Sequence, residues 1–125
     1  MGLVLLDSSV LIGLINPNDK HHLRIMENFE VSSLYAISVL TLTEVLPHAV
    51  AKGVADETQA RFAANLHQVV DVSQEIAVAA AHVRARTGLR TPDAIISATA
   101  TINEAELWTC DAALAKAHKG ARLIA

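Results

Sequence analysis

One cysteine, Cys110, stands in the whole chain of 125 residues, so no internal disulfide can form and a reducing compartment suits the protein. Aromatic residues are nearly as scarce, four in all, which argues against a stacking platform for single-stranded nucleic acid. No apolar stretch reaches the length of about 20 residues that a membrane span needs. No basic-then-apolar leader opens the chain, because Asp7 interrupts the first hydrophobic run almost at once. The expectation is a soluble cytoplasmic protein without membrane contact.

Other absences narrow the chemistry. The five glycines never fall in GxGxxG or Walker order, so a phosphate-cradling loop is missing. The six histidines are scattered and none has HExxH spacing, which speaks against zinc; His21 and His22 are better read as an exposed helix start. Ser8 and Ser9 lack the G-x-S-x-G turn that presents a nucleophilic serine. Cys110, beside Asp111, reads first as a buried structural cysteine, with an activated thiolate as the alternative.

What is present is aliphatic. Apolar residues make up 52% of the chain, mostly Ala, Val, Leu and Ile, and charged residues 18%, which is rich enough for a core and too rich for disorder. A second core would need roughly 100 more residues, so residues 1–125 read as one domain. The formal net charge is −3, yet with four acids set aside as metal ligands ten basic residues face nine acidic ones. The sign of the total therefore decides little about a nucleic-acid partner.

Leu3 to Leu6 is continuously apolar, as a strand buried on both faces of a parallel sheet must be. Ser8 or Ser9 is placed to cap a short helix ended by "NPNDK". "HHLRIMENF" reads as a helix with Leu23, Met26 and Phe29 on one side, and residues 34–39 as a strand. "TLTEVLPHAVAKG" is helical in period, with Pro47 expected to kink or shorten it and Gly53 to end it. "DETQARFAANLHQ" is a further helix and "VVDV" a short strand. "QEIAVAAAHVRARTG" places Ile76, Ala80 and Val83 on one helix face and Glu75, His82 and Arg86 on another. "TPDAIISATATINEA" opens like a helix with Thr91 as cap, Pro92 first and Asp93 in the first turn. "LWTC", "DAALAKAHKG" and "RLI" complete a strand–helix–strand ending. Strands alternating with helices indicate an α/β domain with a mainly parallel sheet.

Four acids carry the chemistry, and each has an ordinary explanation alone. Asp7 and Asp111 sit where strands give way to helices and could simply be caps. Asp93 complements a helix dipole. Thr41, Glu44, His48 and Lys52 share helical spacing and could form a solvent face. Jointly they say more. In open α/β sheets ligands bind beyond the carboxyl ends of the strands, and four carboxylates converging there cannot all ionise without a cation. Oxygen-only donors select Mg²⁺ or Mn²⁺ over zinc. Such an ion clamps phosphate oxygens and lowers the pKa of a bound water, the chemistry of phosphodiester hydrolysis.

The set "LLDSSVLI", "TLTEVL", "RTPDAIISATA" and "LWTCD", in this order across residues 3–124, resembles the PIN domain, in particular the small VapC-type toxins of bacterial toxin–antitoxin pairs. "TPDAIISATA" is its most specific piece. The resemblance implies a three-layer α/β/α fold and a Mg²⁺- or Mn²⁺-dependent endoribonuclease. It also implies a homodimer and inhibition by a cognate antitoxin. Matched position by position, Asp7, Glu44, Asp93 and Asp111 become the catalytic, metal-holding acids, with Ser9 and Thr109 as hydroxyls beside the first and last. Pro47 departs from the pattern, and the fourth acid is the least uniform in the family.

Arg84, Arg86 and Arg90, close to Asp93 in sequence, are candidates for holding RNA phosphates, or else a solvated helix end. Helix pairs near residues 8–29 and 39–53 could form the antitoxin groove. Two rivals remain: a PIN-like module that binds RNA or protein without catalysis, and an unrelated phosphotransfer or receiver domain. The first is disfavoured by the presence of all four acids. The second needs adjacent acids after the first strand and a late lysine, which "DSS" and "LWTCD" do not supply.

Overall fold

The unbroken apolar run at Leu3–Leu6 is a strand with no solvent face. A computed structural model describes residues 2–125, and there the run is β1, the middle strand of a five-stranded sheet. It pairs with β2 (Leu34–Ser38) on one side and β4 (Glu106–Thr109) on the other; β3 (Gln68–Val70) and β5 (Arg122–Leu123) form the edges. Every pairing is parallel. A sheet of this kind requires cover on both faces.

Successive side chains of a strand point to opposite faces, and here each face has its own core. Val4, Leu6, Tyr35, Ile37 and Trp108 pack with Val10, Leu11, Ile25, Val45 and Phe62. These come from α1 (Ser8–Ile15), α2 (His22–Asn28), α3 (Val39–Ala51) and α4 (Ala55–Asn65). Leu5, Ala36 and Leu107 face the other way, toward Ile76, Ala80, Val83, Ala94, Ala98 and Leu114. That layer holds α5 (Gln74–Thr87), α6 (Thr91–Ile102) and α7 (Ala112–Ala117). The result is the expected α/β/α sandwich. Three of the four aromatics stack within the first core, Phe29 on Tyr35 with ring centroids 4.3 Å apart and Trp108 edge-on to both.

Several local expectations are corrected. In α2 the buried residue is Ile25, while Leu23 and Met26 are exposed. The reason is the close crossing with α1 at Gly13, where a Cβ would come within 2.5 Å of Ile25 Cδ1. That contact sets the rotation of α2. Pro47 does not end α3, which runs on to Ala51; Pro47 and Thr43, whose carbonyl it frees, are both exposed, so water can satisfy that carbonyl. Of the stripe that could form a solvent face, Glu44, His48 and Lys52 are exposed, whereas Thr41 is fully buried. At α6 the cap position is Arg90, and Thr91 is already helical. Among the described residues, no helix is long and apolar enough to cross a membrane.

Candidate metal centre

The chain builds the sheet outward from β1 through β2 to β3, then crosses to β4 on the opposite side of β1. The crevice beyond the carboxyl ends of β1 and β4 is therefore the topological switch point, the place where open α/β sheets bind ligands. Leu6 is in register with Trp108, so Asp7 and Thr109 follow side by side. The Asp7 amide donates to the Trp108 carbonyl at 3.0 Å and prolongs the pairing by one residue. The Asp7 carbonyl then accepts from Val10 and Leu11, which starts α1.

Asp7 thus occupies a cap position, yet its side chain caps nothing. Its Oδ2 instead accepts from Ser9 Oγ and Thr109 Oγ1, each at 2.8 Å. The two hydroxyls are themselves fixed: Ser9 Oγ accepts from the Cys110 amide and Thr109 Oγ1 from the Asp111 amide, both at 3.0 Å. Asp7 is buried and Thr109 fully so. Among the described residues nothing donates to Asp7 Oδ1. The carboxylate is thus held by one oxygen, with the other left open, and does not serve as a cap.

The other acids arrive from α3, from α6 and from the position just before α7. Glu44, exposed on α3, accepts from Ser8 Oγ at 2.7 Å through Oε1. Sequence reasoning did not give this pairing, since Ser8 reads there as a cap; the only signal was the second hydroxyl in "DSS". Asp111 keeps its ordinary role, its Oδ1 capping α7 through the Ala113 amide at 2.9 Å. Asp93, third residue of α6, is half-buried and accepts no hydrogen bond among the described residues.

Electrostatics brings the four together. Burial pushes the Asp93 carboxyl above its ordinary pKa, and the charges of Asp7, Asp111 and Glu44 push it further, with Arg90 alone pulling it down. The charges that act on Asp93 thus come from the residue after β1, from α3 and from the cap of α7. Burial raises the Cys110 thiol pKa as well, against a contact with Ser9 and helped by Asp19 and Asp7; the residue is partly rather than fully buried, which corrects the sequence expectation.

Among the described residues, no three His, Cys, Asp or Glu side chains stand close enough together to hold a metal ion between them as they are disposed. The donor set nevertheless fits a hard divalent cation. It is all oxygen, four acids face the single cation Arg90 that acts on Asp93, and each acid has an oxygen without a protein donor. Mg²⁺ commonly takes one or two carboxylates directly and keeps several waters, which suits acids spaced in this way. Of the three arginines, Arg84 is engaged in the α5–α6 turn, its Nε donating to the Leu89 carbonyl at 3.2 Å. Arg90 acts on Asp93, and Arg86 is exposed beside His118.

A family model described as the PIN domain matches residues 4–120. No curated protein matches the chain. Among solved structures, a chain of a toxin–antitoxin complex from Klebsiella pneumoniae is 29% identical, with a TM-score of 0.72 over 86% of this chain and 86% of that one. A chain of DNA-bound VapBC from Salmonella typhimurium is 21% identical, with a TM-score of 0.74 over 98% of this chain and 97% of that one. A chain of FitAcB from Neisseria gonorrhoeae is 16% identical, with a TM-score of 0.72 over 96% of each. The last two are similarities of fold.

Proposed function

The chain belongs to the PIN domain family, and on that footing we propose that it is a Mg²⁺- or Mn²⁺-dependent endoribonuclease toxin of the VapC type, hydrolysing RNA phosphodiester bonds. The observation that carries the reading is Asp7, a buried carboxylate at the sheet's switch point whose Oδ2 is fixed by the hydroxyls of Ser9 and Thr109. Asp7, Glu44, Asp93 and Asp111 are the residues that would hold the ion. A bound divalent cation supplies charge neutralisation at the phosphate and a water of lowered pKa.

The protein's own part is positioning. Ser9 and Thr109 fix Asp7 through Oδ2 and leave Oδ1 as its donor. Ser8 ties Glu44 to the start of α1, so that a side chain otherwise loose at the surface is held over the crevice. The Asp111 oxygen that is not capping α7 is free to orient a water. Preorganised groups of this kind act where charge develops and need no rearrangement during the reaction.

The same reading includes a homodimer and a cognate antitoxin as inhibitor. A groove of about 1140 Å³ runs between α1, α3 and α4. It exposes Ile12, Ile15, Met26 and Val54. Glu44 lies on its wall, so an apolar segment seated there would end beside the acids. The Klebsiella pneumoniae relative was solved within a toxin–antitoxin complex, which supports this assignment.

The test is cleavage of a mixed RNA pool by wild type and Asp93→Asn, with Mg²⁺, with Mn²⁺ and with chelator. Discrete metal-dependent fragments that vanish in the variant are the expected outcome. Cleavage unchanged by the substitution would remove Asp93 from the chemistry. Binding without cleavage, in protein freed of any inhibitor, would favour a non-catalytic module.

A further inference from the structure

A second cleft, of about 570 Å³, lies between α5, α6 and the end of α7, and the acid cluster makes no use of it. Its polar wall comprises His82 and Arg86 from α5, Ser97 and Thr101 from α6, and His118 and Lys119 after α7. Among the described residues no carboxylate lines it, and neither Arg86 nor Lys119 enters an ion pair. Deep in this wall Ser97, only 3% exposed, is hydrogen-bonded to His118 Nδ1 at 2.7 Å. With Ser97 donating, the neutral ring carries its proton on Nε2, a donor left for a ligand. Burial and then the Arg86 charge hold the imidazole below its ordinary pKa; an anion seated between the two would offset the Arg86 part.

Position relates this cleft to the acids. Ser97 follows Asp93 by four residues in α6 and Thr101 by eight, so all three lie on one helix face. At 1.5 Å per residue, Ser97 is roughly 6 Å along the axis from Asp93, a step comparable with the spacing of neighbouring phosphates on an extended strand. We propose that the cleft binds a backbone phosphate of the RNA adjacent to the one at the acid cluster, with Arg86, Lys119 and His118 Nε2 as its donors. The identity of the phosphate as part of RNA rests on the nuclease reading; the anion site itself rests on the donors in the cleft.

Two measurements separate these. Inorganic phosphate is titrated into protein in chelator while NMR follows the His118 ring, assigned with His118→Gln. The ring signals should shift saturably in wild type, with a rise in the His118 pKa, and stay still in Arg86→Ala. A short RNA is then bound in chelator over a salt series. Arg86→Ala should weaken binding several-fold whatever the sequence and lower the slope of log affinity against log salt by about one. Arg24→Ala, an exposed cation on α2, should leave the slope alone. A silent His118 with equal RNA slopes overturns the site, even if the protein cuts RNA. RNA bound with the changed slope but never cleaved supports the site while the nuclease reading falls. A phosphate response in a protein that binds no RNA overturns RNA as the ligand.

Discussion

Thr109, wholly buried, donates its hydroxyl to the largely buried Asp7 at 2.8 Å across 102 positions of chain. The same oxygen accepts from the Asp111 amide, so one hydroxyl orients two of the four acids. Thr109→Val keeps the shape and removes both bonds. Metal-dependent cleavage should fall about 10- to 100-fold, the usual effect of losing a group that orients a ligand. Stability should fall by about 1 kcal/mol, and Thr109→Ser should restore activity. Wild-type rates in the valine variant would show that the hydroxyl does not position Asp7.

Asp93 links stability to pH. Its folded pKa is raised by burial, then by Asp7 and Asp111, and less by Glu44. The native state therefore binds this proton more readily than the unfolded chain. Stability contributed at this site rises as pH falls through the raised pKa toward the ordinary aspartate value, and above that window the ionised group penalises the fold by a constant amount. In chelator, Asp93→Asn should thus melt higher than wild type at neutral pH, with the gap closing as the solution is acidified through that window. Melting curves across the range would refute this if the gap widened in acid.

Metal should stabilise by the same logic. An ion that binds only the folded state adds about 2.7 kcal/mol at a hundredfold excess over its Kd. Mg²⁺ or Mn²⁺ should raise the melting temperature of wild type by several degrees and that of Asp93→Asn by much less. Equal shifts in the two proteins, read by scanning calorimetry, would place the binding elsewhere.

Gly13 is required by packing rather than by backbone conformation. A Cβ there meets Ile25 Cδ1 at 2.5 Å and Asp19 Oδ1 at 3.2 Å, and Ile25 is wholly buried. Gly13→Ala should cost about 1–3 kcal/mol through overpacking, despite the better helix propensity of alanine. Denaturant titration decides it; a more stable variant would mean that α2 can shift without loss.

Much of this was legible in the chain because it is local. The run at Leu3–Leu6, the Ile76–Ala80–Val83 face of α5 and the glycine after α5 each follow from a few neighbouring residues, and they assembled into the α/β/α order that the sheet displays. What failed were rotations. Thr41 and Glu44 share a helical stripe, yet one is sealed in the core and the other is exposed. Ile25 displaced Leu23 and Met26 because Gly13 lets α2 approach α1 closely.

By itself, the sequence determined which residues form strands and helices, and which acids end up beyond strand ends, since these depend on apolar period and on punctuation a few residues away. It could not separate Asp7 from Asp111, both of which read as caps. Tertiary structure did so: Asp111 caps α7, whereas Asp7 turns its carboxylate to Ser9 and Thr109. The pairing of Ser8 with Glu44 and of Ser97 with His118 was likewise decided only when distant elements packed. A hydrogen bond acts over about 3 Å, and nothing in linear spacing says which two distant residues will come that close.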